Sequence, residues 1–207
     1  MFVTFEGPEG AGKSTAVQSV AEALRADGLA VCTTREPGDG PLGREIRELL
    51  LHRDALDPRC ELFLFLADRA QHVSSVIRPA LATGAIVLSD RFGDSTTVYQ
   101  GVARGLGVGL LRQLNDLATC SLRPDVTFLL DLDPEVGLSR LTGRDRLDAE
   151  PIDFHRAVRE GFLAEVAADP DRWVVIDASQ PADDVAKAVV DEIRSRLARD
   201  RRTPLND

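Results

Sequence analysis

Residues 7 to 14 read GPEGAGKS, between a short apolar run (FVTF) and a helical pattern. The spacing fits G-x-x-x-x-G-K-[ST], and the chemistry that needs it is the holding of phosphate anions. Gly7, Gly10 and Gly12 let the loop wrap inward around Pro8, which has no N–H to give, and Ala11, so that the loop's other backbone N–H groups face the anion with a helix dipole behind them. Lys13 then neutralises terminal phosphate oxygens, and the Ser14 hydroxyl, with Thr15 beside it, offers a ligand to Mg²⁺. Lysine is informative in this chain: of 25 basic residues only Lys13 and Lys187 are lysines. The absence of an NKxD base-reading motif argues against GTP, and a single loop lysine argues against a partition-type ATPase. The expected nucleotide is ATP.

Glu9 puts a carboxylate inside this anion-holding loop. Facing the phosphates, it would add a negative charge beside them and cost a few kcal/mol at an effective dielectric of ~20. It is therefore expected to point outward, where it can accept from a sugar hydroxyl or hold a water on the metal. A solvated charge is the alternative reading.

A second ligand is suggested further on. In ELFLFLADRAQH, Leu62, Phe65, Leu66, Arg69 and Val73 fall on one helical stripe, so Arg69 is a cation on an apolar face one turn beyond Phe65. A flat ring beside a guanidinium fork suits a nucleobase; the alternative is an arginine snorkelling at a helix end. In SDRFGDSTTVYQG, Asp90 and Arg91 close a buried strand at the edge where ligands sit in parallel sheets. Arg91 there suits a phosphate clamp and Asp90 a metal-bound water, with Ser95, Thr96 and Tyr99 within reach.

The elements that must position these residues follow from periodicity. Five compact apolar runs, 2–5, 30–34, 85–89, 126–131 and 173–176, read as strands buried on both faces of a parallel sheet. Helical patterns alternate with them, including Val17, Val20, Ala21 and Leu24 after the loop, residues 110–118, and a final helix after Pro181. The alternation predicts a doubly wound α/β fold. Residues 35–80 are too long for one crossover and read as an inserted helical lobe. The polar, arginine-rich stretch 140–152 reads as a lid. At 207 residues the chain is expected to be one domain, 1–207.

A net charge of −9 argues against a nucleic-acid or anionic-membrane surface. No signal peptide or membrane span is legible, so a cytoplasmic location is expected. Cys32, Cys60 and Cys120 lack any paired spacing and read as reduced core residues. His52, His72 and His155 read as surface or core histidines.

FEGPEGAGKST, TREPG, LFLADRAQH, SDRFGDSTTVYQG, DLDPEVGLSR and RDRLD occur in the order seen in bacterial thymidylate kinases, and the chain resembles that family over residues 2 to 195. The resemblance implies a three-layer α/β/α P-loop NTPase fold with a five-stranded parallel sheet, a helical monophosphate-binding lobe and a short lid. It implies phosphoryl transfer from Mg²⁺-bound ATP to dTMP in a homodimer. Glu9 would meet the 3′-hydroxyl, Phe65 stack on thymine, Arg69 bond its O4, and Thr96 meet the base edge. Arg91 and Arg47 would hold the acceptor phosphate, Tyr99 crowd the 2′ position, and Pro37 pack near the base. Arg146, or Arg144 in its stead, would be the lid cation on the transferring phosphoryl. Two departures stand out: Asp39 adds a charge where the family commonly has glycine, and Phe162 replaces a frequent tyrosine.

Overall fold

The computed structural model describes residues 1–52, 56–143 and 145–200, except the side chain of Asp200. The strands β1 (Phe2–Glu6), β2 (Val31–Arg35), β3 (Ile86–Asp90), β4 (Val126–Asp131) and β5 (Trp173–Asp177) form one parallel sheet in the order β2-β3-β1-β4-β5. This is the expected five-stranded α/β sheet, and four of the five strands run one residue further at their C-terminal ends than the apolar runs suggested. The extension matters, because it brings Glu6 and Asp90 to the carboxyl edge.

Alternation along the central strands divides the core. Val3, Phe5, Ile86, Leu88, Val126, Phe128 and Leu130 face α1 (Lys13–Ala26) and α9 (Ala182–Asp200). Phe2, Val87 and Leu129 face the opposite layer. Only β1, β3 and β4 are buried almost throughout; β2 and β5 expose alternate residues, since each has a neighbouring strand on one side only. Burial on both faces was expected for all five and holds for the middle three.

Between β2 and β3 the chain forms α2 (Gly40–Leu51) and α3 (Pro58–His72), a π-helical turn over Val73–Ile77, and α4 (Arg78–Ala82). Asp39 starts α2 by accepting from the Gly40 N–H, and Asp57 starts α3 by accepting from the Arg59 N–H. After β3 come α5 (Gly93–Thr96), a π-helical stretch over Thr97–Ala103, and α6 (Val108–Thr119). α7 (Pro134–Ser139) follows β4, and α8 (Ile152–Ala168) precedes β5. Within the 140–152 segment, Leu147 is buried against Ile46, Leu50 and Leu51 of α2. No described helix is long and apolar enough to cross a membrane.

The cysteines correct an expectation. Cys32 is half-buried, Cys60 and Cys120 are exposed, and all three are free thiols. Cys60 lies in the first turn of α3 and Cys120 at the left-handed end of α6, where no core is available.

Candidate active site

Strand order creates the site. β1 lies beside β3 with Phe5 opposite Asp90, and the Arg91 N–H donates to the Phe5 carbonyl. The loop after β1 and the segment after β3 therefore share one cavity of about 360 Å³, at the carboxyl edge of the sheet. Around it stand Glu9, Gly10, Gly12, Lys13, Ser14 and Thr15 from the loop, Phe65 and Arg69 from α3, and Asp90, Arg91, Ser95, Thr96 and Tyr99 from the other side. Pro37 and Arg47 complete the wall from the lobe. Gly7, Pro8 and Ala11, also expected at the nucleotide, do not line the cavity: Ala11 packs in the core, and the Gly7 and Pro8 carbonyls accept from Lys13.

The loop is pressed tightly onto the next layer. A Cβ on Gly10 would lie 2.0 Å from the Gly137 carbonyl oxygen, and one on Gly137 would lie 2.1 Å from that of Glu9. The loop and α7 thus require each other's glycines. Lys13 is folded back, donating to the carbonyls of Gly7 (3.0 Å) and Pro8 (2.8 Å). Burial, together with Arg91, pulls its ammonium down to about 8, against the opposing pull of Glu9, Asp90 and Glu6.

Glu9 turns towards the far side of the cavity. One of its oxygens accepts from Arg91 Nη2 (2.7 Å) and the other from the Tyr99 hydroxyl (2.6 Å). Burial pushes its carboxyl up, but Arg91, Lys13 and the Tyr99 hydrogen bond outweigh this and hold it at about 2. Arg91 has a left-handed backbone (φ 69°). That conformation aims its guanidinium back at Glu9, the Gly7 carbonyl (3.3 Å) and the Ser95 hydroxyl (3.1 Å).

Three hydrogen bonds to one carboxylate hold the segment that carries Arg91. Buried Glu6 accepts from the Phe92 N–H (2.8 Å), the Ser95 N–H (3.3 Å) and the Ser95 hydroxyl. Burial and the nearby Asp94 raise its carboxyl to about 7, against Arg91 and these hydrogen bonds. The sequence pointed to no role for Glu6, because a glutamate ending a strand looks like any surface acid.

At the base-sized end, Phe65 is half-buried and Arg69 is 1% exposed. The snorkelling alternative is excluded, since Arg69 donates to Glu36 (2.8 Å), Thr96 (2.9 Å), Asn115 (2.7 Å) and the Phe92 carbonyl (3.1 Å). Glu36, Asn115 and Gln100 were missed. Their types are ordinary, and their partners are distant in sequence. Gln100 lines the cavity next to Tyr99, with its amide held by Glu61 (2.8 Å). Arg35 and Arg140 also reach the lining unforeseen. Arg47 donates to the Pro37 carbonyl (2.9 Å), and its other donors have no hydrogen-bond partner among the described residues.

The lid cation is placed differently from expectation. Arg146 does not line the cavity: Nε donates to the Leu50 carbonyl (3.0 Å), and Nη2 lies 2.5 Å from Glu61 in an ion contact short of an aligned hydrogen bond. Arg144 lies outside the described residues. Asp39 does not enter the cavity either; it caps α2, bonds Thr34 and sits 3.9 Å from His72. Phe162 is fully buried, edge-on to Tyr99 at 6.2 Å, so it backs the tyrosine. His72 is buried on Glu36, His155 is buried, and His52 is exposed.

Among oxygen donors, Ser14 and Asp90 are in direct contact beside Lys13. That set fits Mg²⁺, which keeps most of its waters and takes few protein ligands. No group of three metal-ligating side chains occurs among the described residues, so a transition-metal centre finds no support there.

Comparison with known proteins agrees with this geometry. The family model described as thymidylate kinase matches residues 5–189. A curated thymidylate kinase of Synechococcus sp. (strain JA-2-3B'a(2-13)) is 52% identical, over 95% of this chain and 96% of its own. That of Solidesulfovibrio magneticus is also 52% identical, over 91% and 96% respectively. The crystal structure of thymidylate kinase from Ehrlichia chaffeensis superposes with a TM-score of 0.79 at 35% identity, covering 94% of this chain and 98% of that one. A family match over residues 5–189, with half the residues identical across more than nine-tenths of the chain, makes this chain a member of the thymidylate kinase family.

Proposed function

We propose that the protein transfers the γ-phosphoryl group of ATP to the 5′-phosphate of dTMP, releasing dTDP and ADP, a step in supplying dTTP for DNA replication. The observation that carries this reading is one cavity holding a phosphate loop at one end and the Phe65–Arg69 slot at the other. Charge in such a transfer spreads over the equatorial oxygens, so fixed cations and positioning do most of the work. Lys13 serves the donor phosphates; Arg91 and Arg47 hold the acceptor phosphate. Mg²⁺, held through Ser14 and by water on Asp90, shields the donor's negative charge. The acceptor phosphate is already ionised, so no general base is required.

Phe65 stacks on the pyrimidine, Pro37 packs at its edge, Arg69 donates to O4, and Thr96 with Ser95 closes the base edge. Glu9 accepts the 3′-hydroxyl, with its two donors leaving lone pairs free. Tyr99, pinned by Glu9 and backed by Phe162, stands against a 2′-hydroxyl. The lid's phosphoryl contact falls to Arg144, because Arg146 is committed to Glu61. The enzyme works as a cytoplasmic homodimer and needs no nucleic acid or membrane partner.

ADP release with ATP and Mg²⁺ across dTMP, dUMP, dCMP, UMP and thymidine tests the assignment. dTMP is expected first, with dUMP lower by roughly 10–200-fold in kcat/KM, the worth of a methyl in an apolar pocket. UMP is expected below dUMP. Preference for thymidine would indicate a nucleoside kinase, and hydrolysis indifferent to dTMP an accessory ATPase.

A further inference from the structure

Asn115 lies on α6 and does not line the nucleotide cavity, yet its buried side chain touches the group proposed to read the base. Arginine has five N–H groups. In Arg69, Nε is taken by Glu36, both Nη1 hydrogens by Thr96 and Asn115, and one Nη2 hydrogen by the Phe92 carbonyl. Among the described residues a single N–H remains without a partner, on a side chain that lines the cavity.

The asparagine's orientation is determined by its partners. Its Nδ2 donates to the Gly93 carbonyl (2.9 Å) and to the Thr97 hydroxyl (3.2 Å). Gly93 O accepts only and Arg69 donates only, so one amide orientation satisfies both. The Thr96 hydroxyl can rotate between donor and acceptor roles; Asn115 Oδ1 cannot. The other side of Asn115 faces a separate hollow whose Arg112, Arg123 and Arg172 are already ion-paired.

We propose that Asn115 is a specificity-determining positioning residue, fixing the rotation of the Arg69 guanidinium so that its last free N–H meets an acceptor at position 4 of the pyrimidine. The inference rests on Arg69 reading that position. A fixed donor opposite the 4-amino group of cytosine leaves two buried donors facing each other, whereas a loosened guanidinium can turn aside. Asn115 thus acts on discrimination rather than on the transfer itself, which occurs at the Lys13 end.

The test is kcat/KM for dTMP and dCMP in the wild type, Asn115→Leu, Asn115→Ser, Asn115→Asp and Arg69→Gln, with thermal unfolding of each. Asn115→Leu is expected to cut the dTMP:dCMP ratio by about tenfold or more, mainly through the dTMP KM, with kcat within about threefold. Asn115→Ser is expected to do the same and serves if the leucine variant does not fold. Asn115→Asp keeps an acceptor for Arg69 but loses the donor to the Gly93 carbonyl, and is expected to recover only part of the ratio lost in Asn115→Leu. A collapsed ratio in Arg69→Gln with an unchanged ratio in both Asn115→Leu and Asn115→Ser overturns the inference and leaves the base-reading role standing. An unchanged ratio in Arg69→Gln removes the base-reading role itself. A uniform loss for both acceptors in the Asn115 variants makes the residue merely structural and also overturns the proposal.

Discussion

A carboxylate can share a cavity with phosphates when cations on its own side hold it. Glu9 meets that condition, with Arg91 and Tyr99 on its two oxygens and Lys13 nearby. In Glu9→Ala, kcat/KM for dTMP is expected to fall by about 10²-fold or more, since Arg91 loses its anchor and the sugar its acceptor, while ATP affinity stays within a few-fold. Steady-state kinetics with direct ATP titration checks this; equal loss of ATP binding would confine Glu9 to shaping the loop. Glu6 behaves oppositely with pH. Its folded value, about 7, lies above the ordinary 4.5, so the folded state binds the proton more tightly. Its contribution is therefore favourable at low pH and is lost as pH rises through that window. Glu9, depressed to about 2, contributes stability that is lost as pH falls from 4.5 towards 2. Urea unfolding from pH 5 to pH 8 should show the wild type losing stability relative to Glu6→Gln; parallel curves would mean that Glu6 does not titrate there.

At the scale of elements, the π-helical stretch after α5 does much of the positioning. It places Tyr99 and Gln100, adjacent in sequence, both at the cavity wall. Gln100 in turn shares Glu61 with Arg104 and the lid's Arg146. Burial raises the Glu61 carboxyl, but its donors Gln100, Arg146 and Arg104 win and lower it. The 140–152 segment is thus tied to the cavity wall at Gln100 through a residue of α3. Arg146→Ala is expected to raise the dTMP KM several-fold with a modest loss of kcat, as breaking a buried ion contact loosens Gln100. Arg144→Ala is expected to lower kcat by roughly 10³-fold with little change in KM, within the span of phosphoryl-stabilising arginines. Kinetics of the two variants side by side decide the register; the reverse pattern would return the phosphoryl contact to Arg146.

Over the whole molecule, exposed apolar side chains concentrate on one group of helices. Leu42 and Leu49 of α2, Phe63 of α3, and Leu110 and Leu117 of α6 are between 39% and 76% exposed. The three helices pack side by side, α3 between the other two. Exposed apolar side chains on neighbouring helices would be covered by the second copy of the chain proposed above. Phe63→Asp is expected to shift the protein from dimer to monomer in light scattering at micromolar concentration. A wild-type protein that is already monomeric there would refute the homodimer.

The fold class and the placing of Lys13 and Ser14 at the cavity were legible in the sequence, because both follow from local pattern. Loop glycines, Lys13 and Ser14 lie within eight residues, and a buried parallel strand shows itself as a short apolar run. Phe65 and Arg69 were legible too, since one helical turn relates them. Glu36, Gln100 and Asn115 were not: each matters through a partner 33 to 46 residues away, and no periodicity encodes such a pairing. The direction taken by Arg146 was equally hidden, because a charge-dense segment does not say which carboxylate it meets. Tertiary structure decided these points through strand order and burial. Placing β3 beside β1 joined Asp90 to Ser14 and Arg91 to Glu9. Packing α6 against α3 buried Arg69, so that four of its five N–H groups took protein partners.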